Sequence, residues 1–125
     1  MDNHSKKILI TDDSRLSRML ISKIIAQHHP DWKIIEANSG HDAIEKANEE
    51  KPHYITMDYN MDGITGAEAV AQIQKFLPNT IIALFTANIQ SSTREQADHL
   101  GIKFVGKPVT ETSVQQALDY FASRT

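Results

Sequence analysis

A chain of 125 residues, 40% apolar and 23% charged, has the size and composition of one ordinary globular domain. Its net charge of −3, with no basic stretch interleaved with aromatics, argues against a nucleic-acid-binding domain, and the absence of cysteine excludes disulfides, thiolate zinc sites and thiol catalysis. Only Ile8-Leu9-Ile10 follow the basic start, too few for a signal-peptide core, and no run approaches membrane-spanning length, so the sequence reads as a soluble, cytoplasmic, single domain over 1–125.

Short apolar runs alternate with amphipathic stretches. Lys7-Ile8-Leu9-Ile10-Thr11 is a first strand, and Ser14 to His28 a helix with Leu16, Leu20 and Ile24 along one side. Trp32 to Glu36 is a second strand, and Gly40 to Glu50 a helix carrying Ala43, Ile44 and Ala47. Tyr54 to Met57 is a third strand, and Thr65 to Leu77 a helix with Val70, Ile73 and Leu77 inward. Thr80 to Phe85 is a fourth strand, followed by a weaker helix, Gln90 to Leu100, with only Ala97 and Leu100 as anchors. Ile102 to Val105 is a fifth strand. The last helix, Thr110 to Ser123, places Val114, Ala117, Leu118 and Phe121 at i, i+3, i+4 and i+7. Pro30, Pro52, Pro78 and Pro108 all fall between elements, and Gly101 stands at a helix end. Five β-α units predict right-handed crossovers and a mostly parallel sheet.

Such sheets bind ligands at the carboxyl ends of their strands. There the sequence places Asp12-Asp13 after strand 1, Asp58 after strand 3, Thr86-Ala87 after strand 4 and Lys107-Pro108 after strand 5. Each has a plain alternative: Asp12 or Asp13 as a helix cap, Asp58 as the start of an Asx turn, Thr86 as a cap, Lys107 as a solvated charge. Together they are harder to dismiss. Three carboxylates at one edge repel one another unless positive charge intervenes. Lys107 supplies one charge, and a hard divalent cation suits the remainder; magnesium fits a site with few carboxylates, retained waters and a phosphate ligand. A carboxylate beside a metal, a lysine and a hydroxyl is a nucleophile for phosphoryl transfer.

Asp58-Tyr59-Asn60-Met61-Asp62-Gly63 also reads D-x-N-x-D-G, the start of an EF-hand calcium loop. The pattern then fails. Its twelfth position is Ala69, Glu68 stands one place early, and a strand rather than a helix precedes it. The six histidines, His4, His28, His29, His41, His53 and His99, show no ligand spacing and read as surface or structural residues.

Asp12-Asp13, Asp58, Thr86-Ala87 and Lys107-Pro108, in this order and spacing, resemble the receiver domain of two-component response regulators, over essentially the whole chain. The resemblance implies a (βα)5 doubly wound parallel sheet of order 2-1-3-4-5. It implies that Asp58 accepts a phosphoryl group from a histidine kinase or histidine phosphotransfer protein. Asp13, Asp58 and the backbone carbonyl of Asn60 would hold magnesium, or manganese as the alternative ion, with Asp12 acting through water. Lys107, Thr86 and the backbone of Ala87 would contact the phosphoryl group, and Phe104 would be the switch aromatic. Asn60 and Asn88 would tune phosphate lifetime, and the Lys107-Pro108 bond would be cis. The chain would catalyse only its own phosphorylation and dephosphorylation and would signal, as a monomer or weak dimer, through the face of helix 4, strand 5 and helix 5. One departure stands out: the family commonly has Pro four residues after the acceptor, where this chain has Asp62-Gly63, while Gly66 keeps its expected place. Other readings are a receiver-like docking module that is never phosphorylated, the excised N-terminal receiver of a longer regulator, and an aspartyl-phosphate phosphatase, which would need more chain for a cap and a second acid motif.

Overall fold

A computed structural model describes residues 5–125; His4 lies outside them. Five strands, β1 (Lys7–Thr11), β2 (Lys33–Ala37), β3 (Tyr54–Asp58), β4 (Ile81–Thr86) and β5 (Lys103–Gly106), form one parallel sheet in the order β2-β1-β3-β4-β5. Between and after them run α1 (Arg15–His28), α2 (Gly40–Glu50), α3 (Gly66–Gln74), α4 (Ser91–Leu100) and α5 (Glu111–Arg124). The chain leaves β1 for β2 on one side and reaches β3 on the other. The sheet order therefore reverses between β1 and β3, where an open crevice forms at the carboxyl ends. No helix among the described residues is long and apolar enough to cross a membrane.

The two faces of the sheet bury separate cores because side chains alternate along each strand. Ile8, Ile10, Tyr54, Ala83, Phe85 and Val105 pack with α1 and α5 on one face. Leu9, Ile55, Met57, Ile82 and Leu84 pack with α2, α3 and α4 on the other. β3 is buried at every position and β1 at all but its first, which is why their runs are nearly continuous in apolar residues. On α5 the full stripe Val114, Ala117, Leu118 and Phe121 is buried, with Phe121 stacked on Tyr54 at 4.7 Å between ring centroids.

α1 differs from expectation. Its buried residues are Ile21, Ile24 and Ile25, while Leu16 and Leu20 are 66% and 41% exposed, joined by Met19 at 55%. The helix is apolar on two adjoining stripes, and the sheet takes the isoleucine one.

Helix starts follow local chemistry. The side chains of Ser14, Ser39, Thr65 and Thr110 each accept a hydrogen bond from the third residue of their helix, and Thr65–Glu68 and Thr110–Ser113 close reciprocal capping boxes. α4 is the exception. Gln90 makes no side-chain cap, and only Thr93 and Ala97 are buried along the helix. Gly101 ends it at φ +70°, a left-handed conformation that glycine adopts without cost.

Candidate functional site

The carboxyl ends of β1 and β3 deliver the acids. Asp12 directly follows β1 and is 1% exposed; Asp58 is the last residue of β3 and 5% exposed; Asp13 is exposed beside them. Carboxylate oxygens of the three lie within 4.8 Å of one another, the only cluster of this kind among the described residues. Neither aspartate caps the following helix. Ser14 does, and Asp12 Oδ1 instead accepts from the backbone N–H of Ser14 at 2.9 Å. Arg18, one turn into α1, donates to the Asp12 carbonyl at 2.7 Å and to Glu36 at 2.9 Å, tying α1 to the ends of β1 and β2.

Lys107 closes the cluster from β5. Its Nζ lies 3.2 Å from Asp12 Oδ2 and 3.1 Å from Asp58 Oδ1. The Lys107 N–H donates to the Thr86 carbonyl at 2.9 Å, and the Lys107-Pro108 peptide bond is cis. One lysine against three carboxylates leaves the site short of positive charge. Burial, and then the neighbouring Asp12 carboxylate, push the Asp58 carboxyl up to about 6 against the opposing pull of Lys107. Burial alone would lower Lys107, but hydrogen bonds and charge from Asp58 and Asp12 outweigh it and hold the amine above its ordinary value.

Hard oxygen donors, two buried and one open to water, with uncompensated negative charge, are the donor set that suits a magnesium ion retaining several waters. Asp62 is not among them. It is exposed, and Gly63 behind it turns the loop at φ +87°, so this pair shapes the backbone where an EF-hand would supply ligands. Gly66 is required by close approach: a Cβ there would run into the Asp58 carbonyl. Its N–H donates to the Tyr59 carbonyl at 2.8 Å, which fixes the start of α3 against the acceptor strand.

Thr86 ends β4 fully buried, yet its hydroxyl is turned onto its own loop. It accepts from the Asn88 N–H at 2.9 Å and donates to the Asn88 carbonyl at 3.4 Å. Asn88 Oδ1 in turn accepts from the Gln90 N–H at 3.0 Å, so this side chain shapes the loop into α4. Ala87 and Asn60 are exposed at the rim. Phe104 is half-buried, and the Arg94 guanidinium stacks on its ring at 4.4 Å from the centroid. Periodicity carries no signal for that contact, which joins α4 to β5 across space. Three of the histidines are engaged elsewhere: His29 stacks on Trp32, His53 Nδ1 accepts from the Lys7 N–H at 3.0 Å, and His28 lies 3.5 Å from Glu111.

A parallel 2-1-3-4-5 sheet with this acidic crevice defines a class, and comparison with known sequences agrees. The family profile described as the response regulator receiver domain matches residues 8–119, and the chain belongs to that family. It is 34% identical over 116 residues to the chemotaxis protein CheY of Thermotoga maritima, covering 91% of this chain and 95% of the relative. It is also 34% identical over 113 residues to the response regulator protein VraR of Staphylococcus saprophyticus, covering 90% of this chain; there it spans only about half, 54%, of the relative's length. Among solved structures, the response regulator domain of Thermotoga maritima CheB superposes with a TM-score of 0.79 at 31% identity, covering 97% of this chain and 94% of that one.

Proposed function

We propose that Asp58 is the phosphoacceptor of a phosphorelay and that phosphorylation switches a protein-binding face of the chain. The observation that carries this reading is the placement of Asp58 at a strand end, between two further carboxylates and the Lys107 amine at 3.1 Å. An Asp58 oxygen attacks the phosphorus of a phosphohistidine on a kinase or phosphotransfer protein. The new O–P bond forms as the N–P bond breaks, and the imidazole departs with the former bonding pair. Asp13, Asp58 and the backbone carbonyl of Asn60, with Asp12 through water, would hold magnesium or manganese, and the ion would supply positive charge to balance the phosphoryl group. Lys107, already aimed at Asp58, pairs with the transferred group, and the backbone of Ala87 lies at the same rim. The Thr86 hydroxyl exchanges Asn88 for a phosphoryl oxygen, and Phe104 turns toward the space Thr86 vacates. α4, without a side-chain cap, is the helix with the fewest buried residues, two. Asn60 and Asn88 stand where they would govern access of water to the aspartyl phosphate.

The exposed Leu16, Met19 and Leu20 lie on the helix that starts beside Asp12 and Asp13, an apolar surface on which the donor protein would dock near the acids. In this reading the chain acts only on its own phosphate. Incubation with acetyl phosphate and magnesium should add one phosphoryl mass to the wild type and none to Asp58→Ala. Absence of the adduct in the wild type sinks the phosphoacceptor reading and favours a docking module instead.

A further inference from the structure

The edge of the sheet opposite the acids holds a cavity of about 500 Å³. Tyr54 and Ile81, the first residues of β3 and β4, line it together with Pro52 and Phe76, a ring left 37% exposed. Lys6, Lys51 and Arg124 also line it, and no Asp or Glu side chain does, in a chain whose net charge is −3. None of the three forms an ion pair among the described residues. Glu50, beside Lys51 in sequence, is taken by Lys7 at 3.5 Å and Lys33 at 3.2 Å.

Helix C-termini favour cations, and α2 and α5 end here, which accounts for Lys51 and Arg124. Lys6 belongs to no helix, so helix ends alone do not explain the basic lining. The cavity is also tied in shape. The Thr80 hydroxyl donates to the Pro52 carbonyl at 2.9 Å and joins the α3–β4 turn to the end of α2. Thr125 Oγ1 donates to the Phe121 carbonyl at 2.6 Å, so it accepts from the Tyr54 hydroxyl at 2.8 Å and joins the end of α5 to β3. His53 lines the same cavity, and because its Nδ1 accepts from the Lys7 N–H, the neutral ring carries its proton on Nε2. Burial, and then the charges of Lys6 and Lys7, hold that ring below its ordinary pKa.

We infer that this cavity binds a small carboxylate with a flat apolar body, its ring against Phe76 and Pro52 and its carboxylate held by the amines of Lys6 and Lys51. Apolar walls with a few polar groups are the usual make-up of a small-molecule site, and the volume falls within the roughly 300–1,000 Å³ of such sites. A bare inorganic anion would leave the apolar walls wet, and a neutral ring would leave the amines without a counter-charge. β3 begins at this cavity with Tyr54 and ends at the acids with Asp58, so the two sites stand a full strand apart. Binding here is therefore independent of the phosphoacceptor reading.

Amide proton–nitrogen NMR titration with 2-naphthoate, and with 2-naphthalenemethanol as its neutral counterpart, tests this. At low salt the carboxylate should bind about tenfold tighter than the alcohol, the sum of a few exposed charge contacts, and the margin should shrink with salt. It should move the amides of His53, Phe76 and Thr80 and leave those of Asp13, Tyr59 and Ala87 in place. Lys6→Gln with Lys51→Gln should reduce the margin to about twofold, while Lys23→Gln on α1 should keep it. Phe76→Ala should weaken both ligands by about the same factor. Asp58→Ala should bind 2-naphthoate as the wild type does, which separates this result from the fate of the phosphoacceptor reading. No shift at this edge with millimolar ligand, equal affinity for the two ligands, or a margin that survives the double variant overturns the site.

Discussion

Asp58 and Lys107 show what the site costs when no cation occupies it. With its pKa raised from the ordinary 3.8 to about 6, Asp58 in the folded chain keeps, between those pH values, a proton that the unfolded chain has lost. Stability from this group is therefore fully present below pH 3.8 and lost as pH rises through 6. Asp58→Asn should stabilise the metal-free protein at pH 7 by roughly 1 kcal/mol, after discounting for solvent at the rim, and the gain should vanish at pH 3; urea titrations at the two values measure it. Lys107 works in the opposite sense. Its raised pKa stabilises the fold below its ordinary 10.5, and that contribution is lost as pH climbs above it. Lys107→Ala leaves two buried carboxylates without their cation and should cost about 1–3 kcal/mol in the same assay. Its phosphate adduct should still form, while the change in Phe104 fluorine NMR after 4-fluorophenylalanine labelling should be muted.

At the scale of elements, α5 and α4 are opposites. Phe121 is fully buried and stacked on Tyr54, so Phe121→Ala should cost about 3–5 kcal/mol by thermal or urea unfolding. α4 lacks a cap at Gln90, and Gln90→Asp should add about 1 kcal/mol to that helix and slow its amide hydrogen exchange while leaving α5 unchanged. The same contrast explains what the sequence reveals. The α5 stripe is legible because its apolar positions fall on one face only. α1 carries Leu16 and Leu20 beside Ile21, Ile24 and Ile25, and periodicity cannot choose between two apolar stripes; the sheet makes that choice. The acids and Lys107 are legible because strands end where apolar runs give way to charge. By contrast, the turn of Thr86 onto Asn88 and the stacking of Arg94 on Phe104 depend on how the β4–α4 loop and α4 settle on the sheet, which no local pattern records.

Across the whole molecule, the five β-α units bring residues from both ends of the chain, Asp12 and Lys107, within 3.2 Å. That closure makes the site sensitive to a bound cation. Millimolar magnesium should raise the unfolding midpoint by mass action on the native state, and Asp13→Ala should remove most of the shift without lowering the metal-free midpoint. The phosphorelay account itself is tested most directly at the acceptor atom. Borohydride reduces an aspartyl phosphate to homoserine, so treating acetyl-phosphate-loaded protein and mapping its peptides identifies the residue that carried the phosphoryl group. The account predicts homoserine at position 58, dependent on magnesium. Homoserine at Asp12, Asp13 or Asp62 in its place, or at no position, would contradict it.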